Sequence, residues 1–348
     1  MKSTAVKPIR LIVYFSVTLS VLGIIALALY RKDSNEATTY ARLLMGTVVE
    51  ITLMEGERAG FDRASEAAFA EIERLESILS NYKPESDVSR MNAAAGSSVK
   101  VSNETIEVIG YALDAAALSE GAFDPTVGVL GGLWGYSSEL GRVPGKDAVA
   151  EVLPLVDYRD VSVDRATNEA GLDRKGMAIN LGGVAKGYIA GRAVRALKEA
   201  GVERGIVKAG GDMYVFQGNA SDRPFTIGIQ DPRHKGAFGA ALVLNGAVST
   251  SGDYERYFVK DNVRYHHILD PKTGFPARGV MSVTIVAVDA TMADALSTAV
   301  FVMGRVKGMA LIEGLDNVEG VIVDDAGKVF ASSGFKGAVP QDLGETAR

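Results

Sequence analysis

Cysteine is absent from the 348 residues. That excludes disulfides, thiolate zinc sites, a cysteine nucleophile and a lipidated cysteine behind a signal. It also spares an exported chain wrong pairings in an oxidising compartment. Histidine is scarce, with three in all, and Trp134 is the single tryptophan. Low-complexity tracts and internal repeats are missing too. Acid is missing from residues 1–32, which hold five cations, Lys2, Lys7, Arg10, Arg31 and Lys32. The whole chain carries −6, so the remainder is more acidic than that. A body of that sign repels a phosphate backbone, which argues against nucleic-acid partners. An anionic small ligand would need a local metal ion or a helix N-terminus to offset the field.

Residues 11–30 carry no charge. A helix of that length spans about 30 Å, the thickness of a hydrocarbon core. Cations at 2, 7 and 10 precede it, which puts the N-terminus in the cytoplasm and the body outside. The expectation is a single-pass anchor in the cytoplasmic membrane with an extracytoplasmic catalytic domain. Ala26-Leu27-Ala28 allows a second reading as a cleaved signal, though Arg31 and Lys32 follow at once. Residues 33–40 read as a polar linker.

At about 150 residues per unit, the length suggests two domains or lobes. Residues 45–54 read as a strand. Phe61, Ala64, Ala68, Ile72, Leu75 and Leu79 recur at steps of three and four, which predicts a helix over 59–80. Ser102 or Asn103 can cap a second helix to about Ser119. A third is expected over 184–200, and two more over 292–303 and 306–315. Short strands are expected near 205–209, 213–217, 225–230, 241–245 and 281–288, with a hairpin over 319–332. Strands and helices mix without strict alternation, which suggests α+β.

Five segments spend Gly, Asp and hydroxyls where a core would spend Leu. Asn180-Leu-Gly-Gly-Val-Ala-Lys-Gly187 opens a helix on a glycine pair, with free N–H groups that suit a diphosphate; a plain tight helix entry is the other reading. Asp294, Ser297 and Thr298 fall at i, i+3 and i+4, so their oxygens share a helix face and suit Mg²⁺. The alternative is a cap, with Thr291 at the N-cap and Asp294 at N3. His266 and His267 sit beside the Asp270-Pro-Lys-Thr-Gly274 turn. Histidine suits proton transfer near neutral pH, and strand alternation lets only one of the pair face a site. Gly121-Ala-Phe-Asp-Pro-Thr-Val-Gly128 leads to Trp134, a core anchor or a platform for a flat ring. Val248-Ser-Thr-Ser-Gly-Asp253 ends on an acid that could orient a histidine, contact a ribose or merely turn the chain.

Together these pieces, with Met45-Gly-Thr, the stretch from Ser80 to Asn92 and Lys208-Ala-Gly-Gly-Asp212, resemble the ApbE family of FAD:protein FMN transferases over residues 41–335. The resemblance implies a T-fold-like, two-lobed α+β body. The division is then 1–32 anchor, 33–40 linker, 41–335 transferase domain and 336–348 tail. It implies FAD contacts at Met45, Tyr82, Ala122, Phe123, Asp124, Asn180, Lys186 and Ile268. It implies Mg²⁺ ligands at Asp294 and Thr298, with Ser297 close by and a backbone carbonyl from Gly183. His267 matches the family's proposed base, and Asp253 is the second catalytic candidate. Family members often have Asp where this chain has Asn180. The implied reaction moves FMN from FAD to a Thr or Ser hydroxyl of an acceptor, a membrane redox subunit, releasing AMP. An FAD diphosphatase and a non-catalytic flavin-binding module are the alternatives.

Overall fold

The computed structural model describes residues 37–134, 141–218 and 223–343. The expected anchor (1–32) and the first half of the linker (33–36) lie outside the described residues.

An eight-stranded antiparallel sheet organises the body, and its strands lie side by side in sequence order. β1 (Thr38–Leu44) and β2 (Thr47–Met54) form a hairpin with Leu44 opposite Thr47. Its two-residue turn is Met45-Gly46, both at positive φ (53° and 68°), the twist that a tight hairpin requires. The strand expected over 45–54 therefore starts two residues late. The linker expectation is corrected as well, because residues 38–40 are already paired in β1. β3 (Arg204–Ala209) follows, then β4 (Asp212–Gln217), β5 (Gly246–Gly252), β6 (Val280–Ala287), β7 (Val318–Asp324) and β8 (Val329–Ala331). β5 runs through Val248-Ser-Thr-Ser-Gly252, where no strand was expected.

There are four long helices among the described residues, α1 (Arg58–Leu79), α2 (Asn103–Leu118), α3 (Ala185–Glu199) and α4 (Ala290–Glu313); α1, α3 and α4 lie on the sheet, and α2 packs on α4 and α1. α1 buries all six of the residues at helical spacing named above. They pack with Val49, Ile51 and Leu53, which alternate along β2 and share one face of the sheet. Ser102 caps α2, its hydroxyl accepting from Thr105 N at 3.2 Å. α3 packs between α1 and α4. α4 is long and apolar enough to cross a membrane, but it lies on β5, β6 and β7 as a core element. The two helices expected over 292–315 are its two parts, separated by a break at Gly304, φ 76°.

The opposite face carries a small three-stranded sheet of Phe225–Gln230, Ala237–Val243 and Gly337–Ala338. Phe225 and Ile227 alternate inward onto Val215 and Val248. The supposed tail from 336 is thus partly structural. Gly337 pairs with Ala241, and Leu343 is buried beside Val329. A further sheet of Ser98–Lys100, Glu169–Leu172 and Val161–Asp164 joins the helical core. The hairpin Tyr257–Lys260/Val263–His266 stands apart from the large sheet.

Candidate active site

Asp294 sits in the first turns of α4, 2% exposed. It is not part of a cap. Asp289 is the N-cap and accepts from Met292 N at 2.9 Å, so Thr291 is helical. The Asp294 carboxylate points across to the start of α3, where Gly187 N donates to Oδ2 at 2.9 Å. The helices meet this closely because residue 187 has no side chain. A Cβ there would lie 2.0 Å from the Ala290 carbonyl.

Lys186, one residue earlier, reaches two acids. Its Nζ lies 2.6 Å from Asp212 Oδ2 and 3.4 Å from Asp294 Oδ1. Loss of water disfavours the ammonium, but Asp212 and then Asp294 outweigh that and hold its pKa above the ordinary lysine value. Burial and the charge of Asp212 push Asp294 the other way, well above the carboxylate range, in spite of Lys186. With both carboxylates ionised, one cation between them leaves a net negative charge, and it is the crowding of two acids in a buried site that raises the Asp294 pKa.

Hydroxyls close the cluster. Ser249 donates to Asp212 Oδ1 and lies 3.3 Å from Ser297 Oγ. Ser251 Oγ is 2.8 Å from Ser297 Oγ and 3.2 Å from Thr298 Oγ1. Ser249 and Ser251 share a face of β5 by strand alternation. The intervening Thr250 turns to Thr284 at 2.9 Å. Ser297 donates to the Asp294 carbonyl at 2.9 Å. Gly183 is adjacent: a Cβ on it would lie 3.4 Å from Thr298 Oγ1 and 3.1 Å from Phe123. Asp294, Ser297, Thr298, Gly183, Lys186 and Phe123 thus come together as expected. Asp212, Ser249 and Ser251 join them without having been singled out. Oxygen is the only donor type available besides the ammonium, and the excess charge is negative, so the set fits a hard divalent cation.

The two histidines part company. His266 is buried; its Nε2 donates to Ala277 O at 2.9 Å, and its ring meets Phe301 edge-on at 5.4 Å. Burial pushes its pKa down to about 4. His267 is exposed. Its N donates to Arg256 O at 3.0 Å, and its Nδ1 lies 3.3 Å from the same oxygen. Protein atoms crowd the ring on its inner side. That crowding, then Arg256, and further His266 and Lys186, lower its pKa; access to water on the open side limits the shift. With Nδ1–H donating to Arg256 O, Nε2 keeps its lone pair.

Other expected residues take up varied positions. Asn180 is half-buried; its Oδ1 accepts from Gly182 N at 2.8 Å and shapes the loop into α3. Tyr82 is 71% exposed. Met45 sits in the tight hairpin turn, its N donating to Glu76 Oε1 at 3.1 Å. The Arg256 guanidinium approaches that turn, 3.5 Å from where a Cβ on Gly46 would be. Ala122, Phe123 and Ile268 are buried.

The Asp124 carboxylate is an internal brace, accepting from Thr126 N at 2.8 Å, Thr126 Oγ1 at 2.6 Å and Tyr158 N at 2.9 Å. Burial raises its pKa against those bonds. One expectation needs correction: Asp253 hydrogen-bonds no histidine. It is gripped by Arg233, with contacts of 2.7 Å to each oxygen, and by Arg264 at 3.1 Å. Trp134 is a core anchor, fully buried, with Nε1 donating to Gly274 O at 2.9 Å.

Comparison with known proteins places this geometry. The ApbE family model matches residues 45–323. An FAD:protein FMN transferase of Treponema pallidum (strain Nichols) is 35% identical over 313 residues, 85% of this chain and 86% of that protein. One of Klebsiella pneumoniae (strain 342) is 32% identical over 86% of this chain and 93% of its own length. The crystal structure of the ApbE protein from Thermotoga maritima superposes with a TM-score of 0.80 at 38% identity, covering 86% of this chain and 97% of that one. The flavin transferase ApbE from Vibrio cholerae gives 0.77 at 28% identity, with coverage of 86% and 97%. The chain belongs to the ApbE family.

Proposed function

We propose that this protein is an FAD:protein FMN transferase that moves FMN from FAD to a Thr or Ser hydroxyl of an acceptor protein and releases AMP. The observation that carries the reading is the buried cluster of Asp212, Asp294, Lys186 and the Ser249, Ser251, Ser297 and Thr298 hydroxyls, built at the start of α3 where free N–H groups suit a diphosphate. The relatives' names supply the substrate.

His267 Nε2 takes the proton from the acceptor hydroxyl as its oxygen attacks the phosphorus of the FMN half. The new P–O bond forms, the bridging P–O bond of the diphosphate breaks, and AMP departs with the bridging oxygen. Lys186 and the N–H groups at the start of α3 offset charge on the diphosphate. Asp294, Thr298 and the Gly183 carbonyl would hold Mg²⁺, with Ser297 beside it; the ion would supply further charge neutralisation at the diphosphate. Asn180, Met45, Tyr82 and Phe123 border the flavin nucleotide. Positioning and electrostatics account for most of the rate in such transfers.

The acceptor is a membrane redox subunit, and residues 1–32 hold the enzyme on the outer face of the same cytoplasmic membrane. Incubation with FAD, Mg²⁺ and an acceptor domain, followed by intact mass, tests the reading. Acceptor carrying FMN supports it. Free FMN alone would make the enzyme a diphosphatase with water as acceptor, and intact bound FAD would make it a flavin carrier.

A further inference from the structure

The Asp253 carboxylate is buried and takes two guanidinium groups, a heavier investment than a turn acid requires. Its backbone is fixed as well, N donating to Met281 O at 3.0 Å. Arg233 is itself immobilised. Asp231 Oδ1 accepts from Arg233 N at 2.8 Å and His234 N at 2.9 Å, and Arg233 Nη1 also reaches Pro232 O at 2.9 Å. That turn joins two strands of the small outer sheet. Arg264 belongs to the hairpin that leads into His267. Its guanidinium lies over the Tyr257 ring at 4.3 Å, and its carbonyl accepts from Arg278 Nη1 at 2.9 Å.

Residues 253–256 and 264–267 therefore run together, tied twice. Asp253 grips Arg264 at one end, and Arg256 O receives the backbone N–H and the Nδ1–H of His267 at the other. Shifting the first tie shifts the second, since only two residues lie between Asp253 and Arg256 and two between Arg264 and His267. We propose that Asp253 is a positioning residue: through Arg233 and Arg264 it holds the hairpin so that Arg256 O keeps His267 in the Nδ1–H form, leaving the Nε2 lone pair to accept a proton. This inference rests on the transferase reading for its kinetic consequence. The carboxylate itself touches no reacting atom.

A displacement of about 1 Å at a reacting group can cost on the order of 10²-fold. In Asp253→Asn, kcat for FMN transfer should fall roughly 10–100-fold, with KM for FAD changed by no more than about threefold, and Asp253→Glu should recover part of the loss. The readout that a merely stabilising ion pair would not move is ¹⁵N NMR of the histidine rings. The wild type should show His267 as Nδ1–H and His266 as Nε2–H, and Asp253→Asn should mix the tautomers of His267 alone. Should Asp253→Asn fail to fold, Arg264→Met cuts the tie to the hairpin together with the guanidinium's contact on Tyr257, leaves Asp253 paired with Arg233, and should give the same two effects. Unchanged kcat with an unchanged His267 spectrum in either variant overturns the proposal. So does a wild-type His267 that is not Nδ1–H. A wild type that transfers no FMN would sink the transferase reading and leave the NMR comparison standing.

Discussion

At the scale of single residues, the adjacent histidines differ by environment alone, and they should fail in different ways. His267→Asn should bind FAD almost normally and transfer FMN slower by on the order of 10²–10⁴. His266→Asn should instead weaken the fold, by about 1–3 kcal/mol, by disturbing a buried hydrogen bond and a ring contact. If His266→Asn does the greater damage to kcat in folded protein, the wrong face has been assigned. His266 also predicts a pH dependence. Its pKa is about 4 in the fold against 6.5 for an unperturbed histidine, so below pH 6.5 the unfolded chain binds the proton that the native ring refuses. Stability should therefore fall as pH drops from 6.5 towards 4, by at most about 1.4 kcal/mol per pH unit. Denaturant melts across that range, compared with His266→Asn, would check it: the wild type should lose more than the variant. Asp294→Ala removes a buried acid but leaves Lys186 its nearer partner, Asp212. The protein should stay folded and lose Mg²⁺-dependent turnover by about 10²-fold or more. Full activity at low millimolar Mg²⁺ would remove Asp294 from the site.

Elements position these residues, and some were easier to read than others. α1 and α3 follow from apolar spacing, because each buries one stripe on a shared core. β1 did not declare itself: Thr38, Thr39, Tyr40 and Arg42 make a polar edge strand that resembles a linker. β5 was hidden for a chemical reason. It is a central strand whose Ser249 and Ser251 are spent on the site, so Val-Ser-Thr-Ser-Gly lacks the apolar alternation expected of a strand. Asp294, Ser297 and Thr298 could be foreseen because helix geometry alone brings them together. Asp212 could not, since it follows a Gly-Gly hairpin turn as any turn acid would, and only the fold brings Lys186 and Ser249 to it. The α3–α4 contact gives a direct test. With the Ala290 carbonyl 2.0 Å from the place of a Cβ, Gly187→Ala must push the helices apart. That should cost about 1–3 kcal/mol or more and lower turnover too, because Gly187 N holds Asp294. A variant with unaltered melting temperature and activity would show that the helices can slide at no cost.

For the whole molecule, β1 begins at Thr38, and every candidate site residue named above lies within the described body. A truncated form starting at Ala37 should be soluble, bind FAD and modify a soluble acceptor at the full rate. It should lose rate only on an acceptor embedded in a membrane, because confinement to one surface raises effective concentration. Loss of FAD binding on truncation would make the N-terminal segment part of the fold. At the other end, the chain is less dispensable than the sequence suggested, since Gly337 and Leu343 complete the outer sheet and its core. The lysine that bridges Asp212 and Asp294 has a consequence for the entire chain. It acts as a tethered counter-ion, so the acid pair does not have to wait for a metal before the strands and helices around it can close. On the proposed metal-dependent reading, folding and metal loading are separate events, unlike in domains that collapse only around their ion, so a chelator should stop turnover and leave the melting temperature unchanged.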